Sequence, residues 1–133
     1  MAGVTTELGK NLILKLVYQQ ADVRRGTSLE LGLFTNASGL SDASLLADID
    51  EPIGGGYLRL PLTDASWAIP ANQATYATRT FTAVGSDYSL PIYGAFIATT
   101  GTGPILLQFA ASGSSQIVLD GQSIEVNLSD ITD

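Results

Sequence analysis

The stretch Ile117-Val118-Leu119-Asp120-Gly121-Gln122-Ser123-Ile124-Glu125-Val126-Asn127-Leu128 decides the fold class. Ile124, Val126 and Leu128 alternate with Ser123, Glu125 and Asn127. Successive side chains of a strand point to opposite faces, so this alternation predicts one apolar face and one wet face. Asp120-Gly121 separates the run from Ile117 and Leu119 and carries the turn chemistry of a tight hairpin.

Working outward, the same period recurs. Leu29, Leu31 and Leu33 alternate with Glu30, Gly32 and Phe34, which reads as a half-buried strand. Between Pro91 and Thr99, Ile92, Phe96 and Ala98 fall on one face and Tyr93, Ala95 and Ile97 on the other. Ile105, Leu107 and Phe109 alternate with Leu106 and Gln108. The segments Tyr57–Leu62 and Ala74–Ala83 have strand chemistry, and Trp67 and Ile69 mark a short segment ending at Pro70. About seven or eight short strands, with turn signals every ~8–12 residues, predict an all-β antiparallel sandwich or jelly roll and exclude βαβ units.

One segment breaks the period of two. From Thr5 to about Gln20, Leu8, Leu12 and Leu16 recur at i+4, with Ile13 and Val17 beside them and Lys10, Asn11 and Lys15 on the polar side. Thr5 or Thr6 can cap a helix here, and Glu7 suits the positive end of its dipole. Its wide apolar stripe must dock, either on the chain's own sheets or on a neighbouring subunit. The β-favouring Ile13, Val17 and Tyr18 leave a strand as the competing reading. Residues 1–27 therefore read as an N-terminal helix or arm with its connector, and 28–133 as the β-sandwich domain. Asn36–Glu51 reads as a long loop, with room for one helical turn over Ser44–Ala47.

The chain has 133 residues, 45% hydrophobic, enough for one core. Only 14% are charged, below the ~25% of ordinary soluble domains, which suits a surface covered by neighbours. The chain contains no His and no Cys. That excludes Ser-His-Asp triads, Cys nucleophiles and imidazole or thiolate zinc sites, so the expectation is a protein that is not an enzyme and has no cofactor. With six basic residues against 13 acidic ones and a net charge of −7, nucleic-acid binding is not expected. No basic segment precedes an apolar run at the start, and no run approaches the ~20 residues of a membrane span, so the expectation is a soluble protein made in a cytoplasm.

Four constellations invite chemistry. Gly54-Gly55-Gly56 precedes a strand and lacks the Lys-Ser/Thr of a phosphate loop, so it reads as a tight or bulged strand entry. Asp42, Asp48, Asp50 and Glu51 form the densest acidic stretch without calcium-loop spacing, and read as a solvated loop or a contact for a basic partner. Arg24-Arg25, the only adjacent basic pair, reads as ion-pairing within the chain or to a neighbour. Tyr57, Trp67, Tyr76, Tyr88 and Tyr93 admit a glycan-binding reading against a core or interface one.

Leu31-Gly32-Leu33-Phe34-Thr35-Asn36 and Glu51-Pro52-Ile53-Gly54-Gly55-Gly56-Tyr57-Leu58-Arg59 resemble stretches of small virion proteins of tailed bacteriophages. Thr80-Phe81-Thr82, Ile92-Tyr93-Gly94-Ala95-Phe96-Ile97 and Gly121-Gln122-Ser123-Ile124-Glu125-Val126 extend the resemblance over most of the chain. It implies a β-sandwich or jelly-roll virion component, assembled in a host cytoplasm. The role expected is a capsid cement or decoration subunit, with a tail- or neck-associated subunit and a glycan-binding module as alternatives. Its partners would be the major capsid protein or other virion proteins and further copies of itself, a trimer above all, with neither nucleic acid nor membrane. The candidate interface residues are Leu8, Leu12, Leu16, Arg24, Arg25, Asp48, Asp50, Glu51, Tyr57 and Arg59. Met1–Glu7 and Ser129–Asp133 have no evident core role and are expected to act as arms that order on a neighbour.

Overall fold

The computed structural model describes residues 3–132. In chain order the elements are β1 (Val4–Thr5), α1 (Glu7–Gln19), β2 (Leu29–Phe34), β3 (Leu60–Leu62), β4 (Arg79–Thr82), β5 (Ile92–Thr99), β6 (Leu106–Gln116), β7 (Ser123–Val126) and α2 (Ser129–Thr132). Single 3-10 turns lie at Leu46–Asp48 and Asp64–Ser66. The strands form a five-stranded sheet in the order β1-β6-β5-β2-β3 and a two-stranded sheet, β4-β7, with every pairing antiparallel. The fold is thus mostly antiparallel β, with seven strands and one main helix among the described residues.

The centre of the larger sheet is buried on both sides, so β2 is not the half-buried strand its alternation suggests. Leu31, Leu33, Ala95 and Ile97 face a core completed by Leu12 of α1, Phe81 of β4 and Val126 of β7. Phe34, Phe96, Ala98, Leu106 and Phe109 make a second cluster on the opposite side. The 36–51 loop covers that side, with Leu40, Leu46 and Ile49 packed against the aromatic rings. Backbone bonds strap it down: Glu7 N–H donates to the Asp42 carbonyl at 2.8 Å and Thr35 N–H to the Asp50 carbonyl at 2.7 Å. The single turn expected over Ser44–Ala47 forms two residues later, at Leu46–Asp48.

Two irregularities in the β5–β6 pairing overturn the expected face assignments. The register breaks between Ile92 and Gly94 and again between Ile97 and Ala98. A bulge adds unpaired residues to one strand and reverses which face later side chains take. Ile92 therefore joins Ala95 and Ile97, whereas Tyr93 packs with Phe96. On β6, Ile105 and Leu107 enter one cluster while Leu106 and Phe109 enter the other.

α1 forms close to the span its leucine spacing predicts. Thr6 is the N-cap, accepting the Gly9 N–H at 3.0 Å, and its hydroxyl also donates to the Leu106 carbonyl. Leu12 is 1% exposed and Leu8 and Leu16 pack beside it, so the stripe docks on the chain's own core. The termini are not free arms over the described residues. β1 pairs with β6, placing Val4 opposite Phe109 and Thr5 opposite Gln108. Leu128 and Ile131 are buried, and a Cβ on Gly3 would collide with the Ile131 carbonyl. Met1, Ala2 and Asp133, also assigned to the arms, lie outside the described residues.

Three strand expectations shorten. Tyr57–Leu62 forms a strand only over Leu60–Leu62, and Ala74–Ala83 only over Arg79–Thr82. The Trp67–Ile69 segment contributes one isolated bridge, Ala68 to Thr75. Asp120-Gly121 does turn the chain, with Gln122 N–H donating to the Leu119 carbonyl at 2.8 Å, but no hairpin results. Ile117–Leu119 is not a strand, and β7 pairs with β4 instead.

Candidate functional site

The glycine run builds a tight entry to β3, as its sequence context suggests. Gly54, Gly55 and Gly56 all have positive φ, at 87°, 58° and 67°, a region L side chains rarely adopt. The turn lets Tyr57 N–H reach the Gly54 carbonyl at 3.0 Å and seats Gly55 against the Tyr88 ring, where a Cβ would stand 2.7 Å away. The 84–89 loop holds it from outside: Val84 N–H donates to the Gly55 carbonyl at 2.9 Å, and Gly55 N–H to Ser86 Oγ at 2.7 Å.

This turn brings together three of the residues singled out in the sequence. The Tyr57 hydroxyl donates to Glu51 Oε1 at 2.7 Å. Arg59 grips the same carboxylate with two bonds, Nε to Oε1 and Nη2 to Oε2, both 3.0 Å. Glu30 of β2 lies 3.7 Å from the other arm of the guanidinium, which also sits 5.3 Å from the Phe96 ring centre. Sequence inspection did not find Glu30, because it comes from a distant strand. Tyr57 has a second task. Pairing of β2 with β3 ends at Leu31, and the next amide on that edge, Leu33 N–H, donates to the Tyr57 oxygen at 3.0 Å. The hydroxyl thus replaces the ladder partner that β3 is too short to supply.

The electrostatics describe a latch. Burial alone would raise the Glu51 carboxyl, but the Arg59 and Tyr57 bonds hold it below its ordinary value. The Glu51 bond raises the Arg59 guanidinium, and burial pushes the Tyr57 hydroxyl up. All three groups keep one protonation state around neutral pH. The arrangement fastens the 51–59 segment to β2 and holds no group poised to exchange a proton.

The other candidates separate. Arg24 pairs with Asp22 at 2.7 Å, and hydrogen bonds from Arg24 lower the Asp22 carboxyl to about 2. Arg25 points elsewhere, to Asp64 at 2.7 Å. Asp48 Oδ2 accepts the Leu45 N–H at 2.8 Å, and Asp50 N–H donates to Asn36 Oδ1 at 2.8 Å, so both close turns of the covering loop. Among the described residues no group of three or more acidic side chains is placed to hold a metal ion. Tyr57 stacks on Phe81 at 5.9 Å and meets Tyr88 edge-on at 5.8 Å, while Trp67 meets Tyr76 at 5.0 Å. These rings are used in packing. A cleft of about 580 Å³ opens between the end of β6 and the β7–α2 segment, lined by Gly94, Ser112, Ser114, Glu125, Asn127 and Asp130 among others.

Two exposed apolar groups lie outside the interface residues named from the sequence, although the sequence admits the α1 stripe, with Ile13 and Val17, as a contact with a neighbouring subunit. On α1 the outward face carries Ile13, Leu14, Val17 and Tyr18, the last two 65% and 80% exposed. At the loops around the glycine turn, Ile53, Val84, Leu90 and Ile117 are exposed, Ile53 at 76%. The first was not separated from the docked face because a wide apolar stripe does not say which part of it docks. The second consists of single apolar residues in turn segments, with no period to mark them. No helix among the described residues is long and apolar enough to cross a membrane. No protein-family model, no curated protein and no solved structure matches the chain.

Proposed function

We propose that this chain is a structural subunit of a virion, a capsid cement or decoration protein that works through its surfaces and performs no catalysis. The observation that carries the reading is the exposure of large apolar side chains on α1 and on the 53–58, 84–90 and 117–119 loops. Such groups in water mark sites that a partner covers. A surface with few charges and much Ser, Thr and Gly supports the same reading, since interface cores are depleted in charge. In this reading the five-stranded and two-stranded sheets form the two layers of a jelly-roll-like sandwich, with the major capsid protein or other virion proteins as partners.

Quantitative mass spectrometry of purified particles tests the proposal. Copy numbers on the order of hundreds fit shell decoration, whereas about six or twelve copies, the multiplicity of a ring, place the chain in a neck or tail. Absence from the particle refutes the reading.

A further inference from the structure

The two exposed apolar groups lie at opposite ends of the molecule and carry opposite charge. α1 starts where Thr6 meets the Leu106 and Leu107 carbonyls. The chain returns from it at Val23–Arg25, bonded to residues 100–102. The helix therefore crosses the end of the sheet where β5 hands over to β6. The 84–90 loop enters β5 and the 117–121 loop leaves β6, so both lie at the other end, about 25 Å away along eight residues of strand. Cross-bonds unite this second surface: Tyr88 N–H donates to the Val118 carbonyl at 3.0 Å, Asp120 N–H to Asp87 Oδ1 at 2.7 Å, and Gly85 N–H to Asp120 Oδ1 at 2.9 Å.

The charges sort by end. Ion pairs among the described residues take up Arg24, Arg25 and Arg59; Lys10 and Lys15, the chain's only lysines, have none, nor does Arg79, which lies on β4 and outside both surfaces. Lys10 stands in line with Ile13, Leu14 and Val17, at i+3, i+4 and i+7, and Lys15 precedes Tyr18 by one turn. The loop end carries Asp87 and Asp120, both exposed, among Ile53, Val84, Leu90 and Ile117. The α1 surface thus carries Lys10 and Lys15 against the one carboxylate of Glu7, and the loop surface carries two aspartates.

We propose that the α1 face of one copy docks on the loop end of the next, so that the chain assembles head to tail with itself. Contact between two like ends would oppose lysine to lysine or aspartate to aspartate across a desolvated interface, which is unfavourable. Contact between unlike ends joins apolar to apolar and cation to anion. Two different surfaces meeting in this way make a heterologous interface, which builds rings or stacks and not isologous pairs. The inference stands on these two surfaces and not on the virion reading. Absence from particles leaves it intact, and failure to self-associate refutes it alone.

Sedimentation velocity on the full chain tests it, up to ~1 mM, a concentration at which even a weak self-contact is populated. Two variants each block one end: Leu14→Glu/Val17→Glu on the helix and Val84→Glu/Ile117→Glu on the loops. Each alone is expected to self-associate at least about 100-fold more weakly than wild type. Their equimolar mixture is expected to give a species of two chains and nothing larger, because one free helix face meets one free loop end. The milder Lys10→Gln/Lys15→Gln pair keeps every apolar contact and should weaken association about 10-fold and flatten its salt dependence. Wild type that stays monomeric, a blocked variant that associates like wild type, or a mixture without the two-chain species overturns the proposal. Unchanged association in the lysine variant does the same, and serves as the test should a Glu variant fail to unfold cooperatively.

Discussion

Replacing Tyr57 with phenylalanine removes one oxygen and leaves the ring stacked on Phe81 and edge-on to Tyr88. Two hydrogen bonds go with it, one from Leu33 N–H and one to Glu51. Leu33 is 0% exposed, so its amide loses its partner at a place water reaches poorly. An orphaned buried donor costs about 1–3 kcal/mol. The Glu51 bond is charge-assisted but partly solvated, and its loss adds about 1 kcal/mol. The sum, about 2–4 kcal/mol, is a large share of the ~5–15 kcal/mol that holds a domain together. At roughly 3–4 °C per kcal/mol for a chain of this length, Tm should fall by about 6–16 °C. Urea unfolding followed by near-UV circular dichroism measures the change, with an unaltered m-value confirming that the compact state is the same. In a double-mutant cycle with Glu51→Ala the double variant should lose less than the sum of the two single ones, since both remove the Tyr57–Glu51 bond. A loss below about 1 kcal/mol would refute the view that the Tyr57 hydroxyl stands in for the missing ladder partner of β2.

Other substitutions probe the remaining supports. Leu12→Ala should cost about 2–5 kcal/mol by chemical denaturation, and deletion of residues 1–20 should abolish cooperative unfolding, because β1, the Thr6 cap and Leu12 all leave together. Gly55→Ala should cost at least ~2 kcal/mol, since positive φ and the Tyr88 ring both oppose a Cβ. Gly121→Ala, with a φ of 83° but nothing within 4 Å, should cost only the backbone strain of about 1 kcal/mol, so equal losses would contradict the packing argument. Glu51 titrates below its ordinary 4.5 and Asp22 falls from 3.8 to about 2. Both are depressed in the folded state, so the stability they contribute is present above the unfolded values and is lost as pH falls through the folded ones. Protonation of the unpaired carboxylates relieves the net charge and acts the other way. The readout is therefore the urea midpoint of wild type minus that of Glu51→Gln, which should shrink as pH drops below about 4.5.

Of the candidate contact residues, Glu51, Tyr57 and Arg59 do converge, because they lie within nine residues of one another and a glycine turn folds them together. Leu12 is core with Leu8 and Leu16 half-buried against it, and Asp48 and Asp50 are turn closers. Arg24 and Arg25, neighbours in sequence, take separate carboxylates within the chain.

By itself the sequence determined what depends on near neighbours. The strand class follows from side chains alternating every second residue, the helix from leucines every fourth behind Thr6, and the turn at Gly54–Gly56 from residues free to take positive φ. Tertiary structure alone decided whatever depends on residues far apart in the chain. The breaks in the β5–β6 register sent Ile92 and Phe109 to faces their parity does not predict. The 36–51 loop turned β2 from half-buried to buried on both sides, and the termini became part of the packing when β1 found β6 and Ile131 found the core. The separation of α1 into an inner leucine stripe and an outer face of Ile13, Leu14, Val17 and Tyr18 belongs to the same class. Periodicity marks a stripe as apolar, but only the area the sheet offers sets how much of it is covered.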